Sequence, residues 1–198
     1  DSELEAIGAL KQLESCTPLI WVGITGQKRS WVEQVEGTAA LLNALHAVYP
    51  RLGVIFDGWT PPLHSSDYHR REARNDDRVI RRILKRLNFK TRGRVGVVAG
   101  LPLLEKVRVG LGVDAFVANY TTGSLNVARI CARPGVGHMG QRMAESKHQH
   151  IHHHTREVPA ELVQDVSDPS TPTGYVNYSL PWQALRDELI KVLDEQQP

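Results

Sequence analysis

Asp114-Ala-Phe-Val-Ala-Asn-Tyr-Thr-Thr-Gly-Ser-Leu-Asn-Val-Ala-Arg-Ile-Cys-Ala-Arg-Pro-Gly-Val-Gly-His-Met-Gly140 is the stretch that decides how this chain is read. Ala115 to Tyr120 is an apolar run of strand length, and Thr121, Thr122, Gly123 and Ser124 form a polar turn. Leu125 to Ala132 continues as a helix that Pro134-Gly135 ends, and Val136 to Met139 reads as a further short strand. The turn therefore stands where a strand's carboxyl end meets a helix's amino end, the place where open α/β sheets bind ligands. Unpaired N–H groups and the positive end of the helix dipole suit a phosphate there. One glycine and small hydroxyl residues let it approach the backbone closely. An ordinary capped helix after a core strand has the same pattern, so the segment alone leaves both readings open.

Outward from this stretch, elements alternate. Leu4, Ile7, Leu10 and Leu13 have helical spacing over residues 2–15, before Pro18. Leu19 to Ile24 is a first strand and Thr25 to Ser30 a polar turn. A helix follows over about Trp31–Val48, with Val32, Val35, Ala39, Leu42 and Leu45 on one face. Val54 to Phe56 is a second strand closed by Asp57-Gly58, and residues 59–66 are a loop. A long basic helix covers about Asp67–Leu87, with Ile80, Ile83, Leu84 and Leu87 inward. Val95 to Ala99 is a third strand, Leu103 to Val109 a short helix, His150 to Val158 the region of a last strand, and Pro181 to Leu193 a terminal amphipathic helix. Such alternation predicts an α/β fold: a Rossmann-like, doubly wound, mainly parallel sheet with helices on both faces. Ser167 to Gly174 reads as a surface crossing rather than a domain boundary.

Composition sets limits on function. A chain of 198 residues, 41% hydrophobic and 23% charged, has the make-up of a soluble globular protein and buries one core. A net charge of +2 argues against general attraction to nucleic acid. Cys16 and Cys131 are too few for a disulfide framework or a cysteine metal cage, and suit a reducing cytoplasm. No apolar run reaches the roughly 18–20 residues that span a bilayer, and no signal-peptide pattern stands out. The chain starts at Asp1 rather than methionine, which suggests a piece of a longer protein.

The order strand, Thr25-Gly-x-Lys28-x-x-Trp31 turn, helix, strand, Asp57-Gly58, helix, strand, Gly100-Leu101-Pro102, helix, strand, Thr121-Thr122-Gly123-Ser124, helix, Pro134-Gly135-Val136 resembles the carboxyl-terminal domain of GT-B glycosyltransferases. It is most similar to the bacterial heptosyltransferase-like family, over residues 18–140 and with a terminal helix that also fits. The resemblance implies that residues 1–198 form a single Rossmann-like, nucleotide-sugar-binding domain, the carboxyl-terminal half of a two-domain protein. Its partners would be the nucleotide-sugar donor, as substrate, and an amino-terminal acceptor-binding domain that carries the general base. Transfer to a glycan or lipid-linked acceptor in polysaccharide biosynthesis would follow, with no metal and no further cofactor, and with this domain inactive alone. Carried over residue by residue, Thr25, Gly26, Lys28, Thr121, Thr122, Gly123 and Ser124 would hold the diphosphate. Asp57 and Gly58 would end a strand at the cleft edge, Gly100, Leu101 and Pro102 would flank the base, and Asn126 would join the donor site. The family commonly has Asp where this chain has Thr121, and His where it has Asn126, so the donor sugar is open. The alternative is a noncatalytic interaction module that keeps the fold without a working donor site.

Three features stand apart from this pattern. His148, His150, His152 and His154 alternate, so a strand would place them on one face, but their spacing does not close a four-ligand cage. His138, at a strand end, reads either as a semi-buried histidine bonded to backbone or as a group facing the donor. Arg70, Arg71, Arg74, Arg78, Arg81, Arg82, Lys85, Arg86, Lys90, Arg92 and Arg94 make residues 70–94 strongly basic. This segment is read as a solvated face, or as a peripheral contact with the inner face of a membrane. Trp21, Trp59 and Trp182 have no pattern that separates core packing from ligand stacking, and Trp59, directly after Gly58 at a strand end, is the one to test for stacking on a base or sugar.

Overall fold

A computed structural model of the chain describes residues 11–13, 15–62, 64, 66–88, 94–120, 124–145 and 154–196. Six parallel strands form one sheet in the order β3-β2-β1-β4-β5-β6. They are β1 (Leu19–Gly23), β2 (Gly53–Asp57), β3 (Val95–Val97), β4 (Ala115–Asn119), β5 (Gly135–His138) and β6 (Thr155–Glu157). The chain winds outward from β1 to β3, then returns to β4 beside β1 and winds the other way. The order thus reverses between β1 and β4, and a crevice opens there at the strands' carboxyl ends.

The strands are buried on both faces, which is why they read as near-continuous apolar runs. Side chains still alternate. Ile20, Val22, Val54, Phe56, Ala115 and Val117 face one apolar layer. Trp21, Ile55, Phe116 and Ala118 face the other. The first layer is covered by α1 (Gln34–Val48), α2 (Asp67–Leu84) and α5 (Trp182–Asp194), with α1 between the other two. The second is covered by α3 (Leu103–Gly110), by a π-helix (Leu125–Ile130) and by Leu13. A four-residue α4 (Gln141–Ala144) and an antiparallel pair, β7 (Gln164–Asp165) with β8 (Tyr178–Ser179), complete the chain.

Several boundaries differ from the sequence expectation. The helix read from Trp31 starts at Gln34, because Trp31 bridges to Tyr178 and its indole N–H donates to the Leu180 carbonyl at 3.0 Å. Val32 is consequently exposed rather than inward. The helix read over 125–132 is a six-residue π-helix: Cys131 N–H reaches back to Asn126 O, and a left-handed Ala132 (φ 52°) precedes Pro134. The last sheet strand is three residues, Thr155–Glu157. The helix expected over 2–15 lies outside the described residues apart from its end, as do His148 to His153 of the histidine tract. Among the described residues no helix is long and apolar enough to cross a membrane, and no cluster of three or more candidate metal ligands occurs.

Candidate functional site

Three loops meet at the carboxyl ends of β1, β2 and β4. Residues 24–29 follow β1, residues 58–60 follow β2, and Leu125-Asn126 open the π-helix after β4. Together they line a cleft of about 430 Å³. Thr25, Gly26, Lys28, Gly58 and Asn126, five of the residues expected at a donor site, are in its wall. Trp59 and Asp76 join them.

The first loop is held from several sides. Gln34, at the start of α1, bonds Thr25 twice: its Oε1 accepts the Thr25 N–H at 2.9 Å and its Nε2 donates to the Thr25 carbonyl at 3.0 Å. Ser30 Oγ donates to the same carbonyl. Arg29 is left-handed (φ 53°), and its carbonyl accepts from Asn119 Nδ2 at the end of β4. Lys28 is half-buried, with its ammonium 4.8 Å from the centre of the Tyr175 ring.

The second loop is organised from below by Lys106 on α3, a fully buried side chain. Its Nζ donates to Asp57 Oδ1 at 2.5 Å, Gly58 O at 2.9 Å, Thr60 Oγ1 at 2.9 Å and Trp59 O at 3.2 Å. Asp57 is thereby taken out of the cleft edge where the sequence put it. Burial pushes its carboxyl upward, and the Lys106 ammonium pulls it back. From the other layer, Asp76 on α2 accepts the Gly26 N–H at 2.8 Å and the Trp59 N–H at 2.5 Å, so it ties the two loops together. The Trp59 ring stacks on His69 (centroids 5.9 Å apart, planes at 21°) and meets Tyr68 edge-on, so one expected stacking surface already has a neighbour.

Beside the cleft lies a buried polar triad. Tyr178 Oη is 2.7 Å from His138 Nδ1 and accepts from Asn119 Nδ2 at 2.8 Å. Burial lowers His138 to about 4, so the ring is neutral at physiological pH. The same burial pushes the Tyr178 phenol up. His138 is therefore the semi-buried histidine of the two readings, bonded to a side chain rather than to backbone alone.

Not every expected residue joins the cleft. Thr121, Thr122 and Gly123 lie outside the described residues. Ser124 is fully buried, and its carbonyl accepts from Ala128 N–H inside the π-helix. Gly100 is left-handed (φ +82°) and its N–H donates to Trp59 O, while Leu101 packs against the second apolar layer. Leu103 is the residue from that side that lines the cleft. Lys106 and Asp76 were not singled out from sequence as site residues. Asp76 carried a signal, because Glu72, Asp76, Ile80 and Ile83 fall on one helical face, which makes both carboxylates inward-facing.

No family model and no curated protein matches the chain. Among solved structures it is similar to a glycosyl transferase family 9 protein from Veillonella parvula, with a TM-score of 0.56 and 11% identity, covering 98% of this chain and 51% of that one. It is also similar to MnaA of S. aureus, solved with UDP, with a TM-score of 0.53 and 9% identity, covering 94% of this chain and 40% of that one. The chain thus spans about half the length of the first and less of the second. Likeness at these identities shows the fold alone, a Rossmann-like α/β fold with a six-stranded parallel sheet.

Proposed function

We propose that this chain is the donor-binding half of a glycosyltransferase, taking a nucleotide diphosphate sugar in the cleft between β1, β2 and β4. The observation that carries the reading is the convergence of Lys28, Gly26, Thr25, Gly58 and Asn126 on one cleft at the reversal of strand order. Lys28 is the flexible cation that would meet the diphosphate. Beyond Thr25 and Gly26, whose N–H groups are held by Gln34 and Asp76, the backbone of Gln27 and Lys28 would add donors, and the same groups would stabilise charge on the departing nucleotide. Transfer to a glycan or lipid-linked acceptor would need a second domain to contribute the base. Calorimetric titration with ADP, UDP, GDP and CDP tests the reading. Saturable binding of one nucleotide, lost in Lys28→Ala, is the expected result. No binding by any of them to the folded protein would favour the interaction module.

A second surface suits a membrane-proximal acceptor. Arg71, Arg74, Arg78, Arg82 and Lys85 recur at three- and four-residue steps on the exposed side of α2 and its end. Exposed ion pairs engage their neighbours, Asp67 with Arg70, Asp77 with Arg81 and Glu36 with Arg86. Among the described residues no carboxylate pairs with Arg74, Arg78, Arg82 or Lys85. Such a stripe on a protein of net charge +2 is a local field, complementary to an anionic bilayer surface. Arg94 is not part of it, since its guanidinium donates to Pro50 O, and Lys90 and Arg92 lie outside the described residues. Sedimentation with phosphatidylglycerol vesicles, lost in Arg74→Glu with Arg78→Glu and absent with phosphatidylcholine, is expected. Retention of the double variant would refute it.

A further inference from the structure

Asp76 is 2% exposed, yet its two carboxylate oxygens are fully committed to two different loops. Oδ1 accepts from Gly26 after β1, and Oδ2 from Trp59 after β2. The neighbouring glycines are shaped to this group. A Cβ on Gly26 would lie 2.7 Å from Oδ1, and one on Gly58 2.6 Å from Oδ2. The carboxylate and the two glycines are therefore a matched set, in which a side chain at either glycine displaces the oxygen that the loop's N–H needs. Two N–H donors can both be met only by a group with two acceptor atoms. A carboxylate is one; an amide or a protonated acid offers an acceptor and a donor, and leaves one loop facing a donor.

We infer that Asp76 is a positioning residue for the cleft: its ionised carboxylate clamps the loops carrying Gly26 and Trp59 in the spacing that receives a diphosphate, and loss of its charge releases one of them. The ligand in this statement rests on the donor-binding reading above, whereas the clamp does not. Asp76 does not touch the reacting atoms; it acts through the backbone it holds. Burial pushes its carboxyl up to about 6 against the pull of the two N–H bonds. Asp57 at the end of β2 adds to the rise, and Lys106 on α3 opposes it. The other charged groups around it are Lys28 and Arg29 of the first loop and Glu72 one turn earlier on α2. The clamp consequently opens as the pH falls from about 7 to about 5, a window that an ordinary aspartate, at 3.8, does not have.

The test measures amide hydrogen exchange of residues 25–29 and 58–60, as protection factors across this pH range, in the full chain and in Asp76→Asn. The variant is isosteric, and thermal unfolding verifies that it folds. Protection of the Gly26 or the Trp59 amide is expected to fall about tenfold in the variant at pH 7.5, the worth of one charge-assisted hydrogen bond. The wild-type protein should approach the variant near pH 5, and the variant should show no dependence of its own. Gly26→Ala displaces Oδ1 without removing the charge, so it should lose protection and keep the pH dependence. Affinity for UDP-glucose, ADP-glucose or GDP-mannose, whose phosphodiester oxygens stay ionised throughout, should fall about tenfold in Asp76→Asn for whichever binds. Unchanged protection in Asp76→Asn overturns the clamp. Lost protection with unchanged affinity overturns the positioning role and leaves the clamp. Lost protection in a protein that binds none of the three overturns the donor-binding reading instead.

Discussion

Lys106→Met isolates the energetics beneath the cleft. Lys106 is fully buried, and its ammonium serves four acceptors, one of them the carboxylate of the 2% exposed Asp57. Methionine fills a similar volume, so little packing is lost, but Asp57 is left as a buried charge without a counterion. Removing one partner of such a pair costs about 3–5 kcal/mol. For a domain of this length, where 1 kcal/mol moves Tm by about 2–4 °C, the melting temperature should fall by about 10 °C. Adding Asp57→Asn to Lys106→Met removes the orphaned charge and should recover about half of the loss, the rest being the unpaired Gly58 and Thr60 acceptors. The pH dependence has a defined sign. In the single variant only the Gly58 backbone N–H still opposes burial, so the folded-state Asp57 carboxyl rises further above its unfolded value. Its contribution to stability is then full at low pH and lost as pH rises, so the deficit should be largest at pH 7–8 and shrink toward pH 5. Urea unfolding of wild type, both single variants and the double variant at pH 5 and pH 7.5 measures this. A cost below about 1 kcal/mol at pH 7.5, or a double variant no better than Lys106→Met, would refute the reasoning.

Other predictions concern the rest of the site and its support. Asp76 titrates near 6 in the fold against an ordinary 3.8, so its stabilising contribution is complete below about pH 4 and lost as pH rises through 6. Wild-type stability should therefore fall between pH 5 and 7 by a component that Asp76→Asn lacks, which denaturation at the two pH values would show. His138 has the opposite sign: its folded value is lowered to about 4, so stability is lost as pH falls from about 6.5 toward 4, and its ring resonances should not titrate between pH 5.5 and 8. Gly37→Ala would put a Cβ 2.1 Å from Trp31 Cη2, prising the indole from Leu180 O. A cost of about 1–3 kcal/mol with a changed tryptophan emission is expected, and an unchanged Tm would contradict it.

Much of the scaffold was legible because its signals are local. Near-continuous apolar runs in Leu19–Gly23 and Ala115–Asn119, Pro50 after Val48, and Asp57-Gly58 at a strand end mark elements without tertiary information. The cleft was legible through Thr25, Gly26, Lys28, Gly58 and Asn126, which sit on turns directly after strands. What stayed hidden depends on partners far along the chain. Lys106 looks like any helix-surface lysine until β2 places Asp57 under it, 49 residues away in sequence. Trp31 has good helix-start neighbours, and only the pairing with Tyr178, near the far end, withdraws it from α1. The π-helix depends on Cys131 N–H choosing Asn126 O, which side-chain periodicity over six residues cannot encode.

The two apolar layers also differ in when they can exist. Every residue of the layer under α3 and the π-helix lies between Leu13 and Ala128, so it can close while the later third of the chain is still being made. The other layer needs Tyr178, Leu180, Leu185, Leu189, Val192 and Leu193 from the far end to cover β4 and β5. A growing chain therefore passes through a stage with one sheet face sealed and the other covered only in part, by α1 and α2. Ribosome-bound intermediates, and chains stopped before Trp182, should accordingly be the species that chaperones hold and that aggregate.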